Sequence, residues 1–299
     1  MNGEESPRLI DARLELSGGK GEHIDTARRG FHGIGVKCGL CVISAIAYRR
    51  TISPSIPFSA KERFQMTLHI GLMCFPRVQQ LDMTGPHDVF AQIPGATTHL
   101  VWKTRTQIES SSGMLLRPDT TFDDCPPLDV ICVPGGSGVG ELMEDDETLD
   151  FIRRQAKGAR FVTSVCTGAL VLGAAGLLRG RRATTHWAFH SLLADLGAIP
   201  VRERVVRDGN LLTGGGITAG IDFALTLAAE LAGDEEAQAI QLELEYAPAP
   251  PFDAGTPERA PRAVVERVRE QSAAALAKRA QIVARVAGRL AIGEPGGAQ

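Results

Sequence analysis

The sequence predicts an α/β fold, a mostly parallel sheet covered by helices on both faces, and three observations predict it. Compact apolar runs such as Leu68-His69-Ile70-Gly71-Leu72-Met73-Cys74 and Val130-Ile131-Cys132-Val133 lack sustained polar alternation, as strands buried on both faces do. Each run stops at a breaker, Phe75-Pro76 in the first case and Pro134-Gly135-Gly136 in the second. Helical stretches lie between the runs, and β-α alternation of this kind closes most simply as a parallel sheet with crossover helices.

Residues 1–65 show neither helical nor strand periodicity, and contain Gly18-Gly19-Lys20-Gly21 and Ser53-Pro54-Ser55-Ile56-Pro57. They read as an irregular N-terminal extension, either part of the natural protein or a stretch translated ahead of a natural start at Met66. An α/β domain is expected over 66–260, and a C-terminal helix and tail over 261–299. Within the domain, the run at 130–133 precedes an acidic helical segment from Glu141 to Lys157. Phe161-Val162-Thr163-Ser164-Val165 is a third buried strand, followed by an Ala/Leu/Gly-rich helix to Leu178. Val205-Val206 and Leu211-Leu212 flank the turn Asp208-Gly209-Asn210 as a hairpin, and a long helix begins near Thr218. Pro248-Ala249-Pro250-Pro251 then breaks the chain. From Ala263 to Leu290 a helix carries Val264, Val268, Leu276 and Val283 on a partial apolar stripe, which suits packing on its own domain or a dimer contact.

The 299 residues are 43% hydrophobic and 22% charged, enough apolar material for a sizeable core. A net charge of −3 leaves no basic footprint for nucleic acid and no polybasic tail for a membrane surface. Small molecules and a second copy of the chain are the expected partners. Six cysteines without framework spacing read as reduced thiols of a cytoplasmic protein. The apolar stretch Val36 to Tyr48 is interrupted by Lys37 and too short to span a bilayer. It also starts too far from Met1 for an ordinary signal peptide, although Ala45-Ile46-Ala47 has the form of a cleavage site.

The chemistry concentrates at Ser164-Val165-Cys166-Thr167-Gly168. A strand ending in a nucleophile and turning through glycine into a helix has the geometry of a nucleophile elbow. A helix N-terminus favours thiolate, which predicts a lowered pKa for Cys166, while the same position also suits a buried core cysteine. Cys74 and Cys132 belong to apolar strands, Cys125 to an acidic loop, and the Cys38/Cys41 pair lacks the partners of a zinc or redox motif. Asp82, in the loop expected after the first strand, stands on the carboxyl side of the sheet; beside a thiolate in an apolar crevice it stays protonated and acts as an acid. Capping the next helix is its plainer role. Pro134-Gly135-Gly136-Ser137-Gly138-Val139-Gly140 matches neither dinucleotide nor P-loop spacing, so Gly135 and Gly136 are read as donors of backbone N–H groups to an oxyanion. Gly214-Gly215-Gly216 lines the other wall or forms a tight turn. His186 either orients the site or is a structural histidine, and His87 and Asp88 complete no metal set.

Taken in order, Ser-Val-Cys-Thr-Gly around Cys166, Pro-Gly-Gly after Val133, Thr184-Thr185-His186-Trp187 and Ala219-Gly220-Ile221-Asp222 resemble the type 1 glutamine amidotransferase-like superfamily. Leu81-Asp82-Met83-Thr84-Gly85-Pro86, and Leu244-Glu245-Tyr246 followed by the Pro-rich run to Gly255, are similar to its isonitrile hydratases. The resemblance spans roughly 66–261 and implies a flavodoxin-like fold, a homodimer, no metal or organic cofactor, and addition of water to an isonitrile to give an N-substituted formamide. It implies Cys166 as nucleophile, Asp82 as proton donor and Thr167 as the residue that orients water or the acid. Thr167 stands where protease-like members carry histidine, which weakens a peptidase reading. A single long helix after residue 260 is unlike the helix-turn-helix domains of regulator members. The competing expectation is a redox sensor or deglycase-like stress protein built on the same cysteine.

Overall fold

The computed structural model describes residues 67–292. The extension expected over 1–65, with Cys38, Cys41 and Ala45-Ile46-Ala47, lies outside the described residues. The chain enters through β1 (Leu68–Met73), whose last four residues are buried, and continues through α1 (Gln80–Phe90) into β2 (Ala96–Trp102). A small hairpin of β3 (Ile108–Glu109) and β4 (Leu115–Leu116) and the edge strand β5 (Thr120–Thr121) lead to β6 (Val130–Val133), which is buried throughout. After α2 (Val139–Leu142) and α3 (Asp146–Gly158), the chain forms β7 (Phe161–Val165) and α4 (Gly168–Ala174), both wholly buried. A short parallel pair, β8 (Arg182–Ala183) with β9 (Ile199–Pro200), brackets α5 (Leu192–Asp195). The hairpin β10 (Val205–Asp208) and β11 (Leu211–Gly214) then leads to α6 (Ala219–Ala232), α7 (Asp234–Glu243) and α8 (Arg262–Ile292).

Seven strands form one sheet in the order β10-β11-β7-β6-β1-β2-β5. Every pairing in it is parallel except β10 with β11, so the mostly parallel sheet of the sequence reading is the observed one. Chain order runs outward in opposite directions from β1 and β6, which opens a crevice beyond their carboxyl ends. Asp82 follows β1, Gly135 follows β6 and Cys166 follows β7, so topology alone delivers all three to that crevice. Helices α1 and α6 cross closely because glycine faces each contact: a Cβ on Gly85 would lie 3.2 Å from Ile221, and one on Gly220 3.2 Å from Pro86.

Three expectations are corrected. The helix expected over 141–157 is two helices, because Asp145 takes an extended conformation and is drawn to Lys103 Nζ at 2.6 Å. The helix after Cys166 ends at Ala174 rather than Leu178, where Gly176 turns the chain with φ of 80°. Asp82 lies in the first turn of α1 and not in a loop. The C-terminal helix forms as expected and lies on α2, α4, α5 and the turn Trp187–Phe189. Its buried apolar residues are Val265, Ile282, Val283 and Val286, while Val264, Val268 and Leu276 are only half-buried. Among the described residues no helix is long and apolar enough to cross a membrane.

The approach of α4 to β6 is the tightest in the core. A Cβ on Gly168 would lie 1.9 Å from the Val133 carbonyl oxygen and 2.9 Å from that of Pro134. Gly168→Ala is therefore expected to lower the unfolding free energy by about 3 kcal/mol, read from urea denaturation, through forced separation of backbone from backbone. A loss below about 1 kcal/mol contradicts that packing.

Candidate active site

β7 delivers Cys166 with φ of 54°, a left-handed conformation that costs a residue bearing a Cβ about 1 kcal/mol or more. Two hydrogen bonds hold it there. The Cys166 N–H donates to the Gly214 carbonyl at the end of β11 (3.1 Å), and the Cys166 carbonyl accepts from Thr185 Oγ1 (2.7 Å). The chain turns at once into α4, and the Thr167 N–H points at the sulfur. This is the elbow that the sequence predicted, with the side chain held at the crevice and only 6% exposed.

Asp82 is fully buried. Its Oδ2 accepts the Gly135 N–H at 2.9 Å, while Oδ1 has no well-formed hydrogen bond and the carboxyl faces the Cys166 thiol. Burial pushes the Asp82 pKa up to about 7, against the lowering effects of the Gly135 N–H and the thiol. Burial, and next the negative charge of Asp82, raise the Cys166 thiol well above its ordinary range; the Thr167 N–H and Arg279 act in the opposite direction. The lowered thiol pKa expected from the helix N-terminus is thus reversed, because desolvation and a facing carboxylate outweigh the dipole of a seven-residue helix. The two groups are best read as a pair. The first proton leaves near pH 7, and the second is held to much higher pH.

Gly135 and Gly136 come together with this pair, in a role other than the one expected. Their N–H groups are already engaged, Gly135 with Asp82 and Gly136 with Thr167 Oγ1 at 3.2 Å, so they position the acid and the hydroxyl rather than facing an oxyanion. Only glycine fits at 135: a Cβ would lie 2.7 Å from Asp82 Oδ2, from Thr167 N and from Thr167 Oγ1. At 136 a φ of 145° and a virtual Cβ 2.3 Å from the Arg77 carbonyl make the same demand. Thr167 Oγ1, accepting from Gly136, keeps its own proton to donate.

His186 and Gly216 sit on the other side of the elbow, 3.8 Å apart from a Gly216 virtual Cβ to the ring. With Thr185, Trp187 and Arg204 they line a cleft of about 390 Å³. Burial, and then Arg279, lower the His186 pKa, so its ring is neutral at pH 7. Its Nδ1 accepts the Ala188 N–H at 3.3 Å, which assigns the proton to Nε2. Cys74 and Cys132 are core thiols, each pushed up to about 12 by burial, and Cys125 is raised to about 11. Among the described residues no group of three or more His, Cys, Asp or Glu side chains stands together to hold a metal ion, and His87 bonds Thr98 instead.

One residue of the site escaped the sequence reading. Arg279 reaches in from α8, is 8% exposed, donates from Nη2 to the Gly136 carbonyl at 2.7 Å and lies 4.1 Å over the Phe189 ring. The available signal was its spacing of four and seven residues from Val283 and Val286, which places it on the buried face.

The DJ-1/PfpI family pattern matches residues 69–230, which carry the elbow and most of β1 and α6. The chain belongs to the DJ-1/PfpI family. A protein named isonitrile hydratase from Pseudomonas putida is 66% identical over 225 residues, 75% of this chain and 99% of that protein. Among solved structures, a ThiJ/PfpI family protein from Pseudomonas syringae superposes with a TM-score of 0.71 at 38% identity, over 81% of this chain and 99% of the other. DJ-1beta from Drosophila melanogaster superposes with a TM-score of 0.54 at 25% identity, over 61% of this chain and all of the other. The DJ-1/PfpI fold is the flavodoxin-like α/β arrangement of the glutamine amidotransferase-like superfamily, as the motifs around Cys166 implied.

In this DJ-1/PfpI chain the raised Asp82 pKa has a consequence for stability. A carboxyl titrating at about 7 when folded and near 3.8 when unfolded favours the fold fully below pH 3.8 and loses that contribution as pH rises to 7. Asp82→Asn is therefore expected to be more stable than the wild type at pH 8.5 by about 1–3 kcal/mol, with the advantage vanishing at pH 4. Thermal melts across this range check it; parallel pH profiles contradict a buried, reluctantly ionised Asp82.

Proposed function

We propose that the protein hydrates isonitriles to N-substituted formamides, with Cys166 as nucleophile, Asp82 as general acid and then base, and Thr167 as the group that orients water. The observation that carries this reading is the buried carboxyl facing the thiol, supported by 66% identity to a relative named isonitrile hydratase along nearly that relative's whole length. Once the pair has lost one proton, moving the remaining one from sulfur to Asp82 creates a thiolate beside a neutral acid. Addition of the thiolate to an isonitrile needs both.

The thiolate forms an S–C bond to the terminal isonitrile carbon, and Asp82 delivers its proton to that carbon, leaving a thioimidate on Cys166. Asp82, now ionised, takes a proton from a water held by Thr167 Oγ1 as that water's oxygen bonds to the same carbon. Asp82 passes that proton to the nitrogen, the C–S bond breaks with its electron pair returning to sulfur, and Asp82 accepts the hydroxyl proton, which leaves the formamide and restores the thiolate beside a neutral acid. Atoms sum to one isonitrile plus one water. His186, neutral and carrying its proton on Nε2, and Gly216 belong to the wall that receives the substituent on nitrogen.

On this reading the domain at 66–260 is the catalytic unit, the C-terminal helix within 261–299 completes it through Arg279, and the protein works as a cytoplasmic homodimer on a small isonitrile and water without metal or organic cofactor. The sensor alternative is weakened by the same pair, since redox-sensing cysteines are exposed and of low pKa, whereas Cys166 is buried and its thiol pKa raised.

Formamide production from cyclohexyl isocyanide, followed by chromatography, is expected from the wild type and absent from Cys166→Ala. Its kcat/KM should rise with pH to a plateau with an apparent pKa near 7 and not fall until well above pH 9. Asp82→Asn should lose at least about a hundredfold in rate. Near-wild-type turnover by that variant rules out Asp82 as the proton donor.

A further inference from the structure

The structure assigns Arg279, on the C-terminal helix, as a positioning residue whose buried positive charge acts on the Cys166 sulfur and whose guanidinium fixes the Gly135-Gly136 loop that holds Asp82 and Thr167. The observations are geometric. Arg279 is 8% exposed, and a buried guanidinium is costly unless an anion and hydrogen-bond acceptors meet it. Among the described residues no carboxylate forms an ion pair with it, in contrast to Arg285 six residues on, which grips Glu144 at 2.8 and 2.9 Å. Its polar contact is the Gly136 carbonyl at 2.7 Å, and its flat face is stacked on Phe189 at 4.1 Å.

The placement makes one chain of contacts. Arg279 holds the carbonyl of Gly136, whose N–H holds Thr167 Oγ1, and the preceding N–H, of Gly135, holds Asp82 Oδ2. Among the described residues Asp82 from α1 and Arg279 from α8 act on Cys166, while Cys132 from β6 feels Asp82 and His186 from the turn after β8 feels Arg279. Cys132 and His186 are neutral near pH 7, so among the described residues Arg279 is the cation that acts on Cys166. Its field acts on the sulfur and on His186 alike, favouring thiolate at the first and a neutral ring at the second.

This inference rests on Cys166 as the reactive thiol, and its test reads alkylation of that thiol rather than hydration, so it fails separately from the proposed activity. The rate of Cys166 modification by iodoacetamide is measured against pH, with the site confirmed by peptide mass spectrometry. Arg279→Gln is expected to slow alkylation at pH 7.5 at least tenfold and move its midpoint upward by a pH unit or more, while Arg279→Lys recovers most of the midpoint by restoring the charge. An unshifted midpoint in Arg279→Gln, or a Lys variant no better than Gln, overturns the assignment. Should Arg279→Gln not fold, the wild type decides by reagent charge. Its rate ratio for anionic iodoacetate over neutral iodoacetamide is expected to exceed that of glutathione at least threefold, and a ratio equal to or below glutathione's overturns the assignment.

Discussion

The site depends on the contact between a buried carboxyl and a buried thiol, and most of what surrounds them is arranged so that this contact persists. Burial denies both groups most of the solvation that their charges would need. Asp82 is fully buried and Cys166 nearly so, which raises both pKa values and leaves one proton to be shared at neutral pH. The first turn of α1 after β1 and the elbow after β7, both at the carboxyl side of a parallel sheet, bring the groups together, and the glycine at 135 lets backbone, carboxyl and hydroxyl occupy a volume where a single methyl group has no room. The elbow strain at Cys166 is held by bonds from β11 and Thr185, so the sulfur cannot relax away from the acid.

Much of this was legible in the sequence. Apolar runs without alternation gave β1, β6 and β7, and the turn Asp208-Gly209-Asn210 gave the β10–β11 hairpin, because strand burial and turn chemistry are local properties. The nucleophile was visible as a cysteine between a buried strand and a glycine. Helix ends were harder to place. Asp145 divides the 141–157 segment because Lys103, distant in sequence, draws it, and Gly176 ends α4 within a run of good helix formers.

Three features of the site depended on distance in space rather than on pattern. The local rule that a helix N-terminus lowers a cysteine pKa holds only when burial and a facing carboxylate do not oppose it, and both do here. The glycine N–H groups looked free in the sequence, yet Asp82 and Thr167 occupy them. Arg279 lies more than a hundred residues from Cys166, and only the docking of α8 on α4 and α5 shows that its charge belongs to the site. Its heptad-like relation to Val286 was readable, but an arginine on a buried face has no single meaning until the partner is known.

The most direct test of the account is intact-protein mass spectrometry of the protein mixed for milliseconds with an isonitrile and quenched in acid. The account predicts a transient species heavier by the full mass of the isonitrile, located on Cys166, absent from Cys166→Ala and decaying as formamide appears. Formamide released at a catalytic rate from a protein that never carries that mass on Cys166, under conditions in which a thioimidate survives the quench, would contradict it.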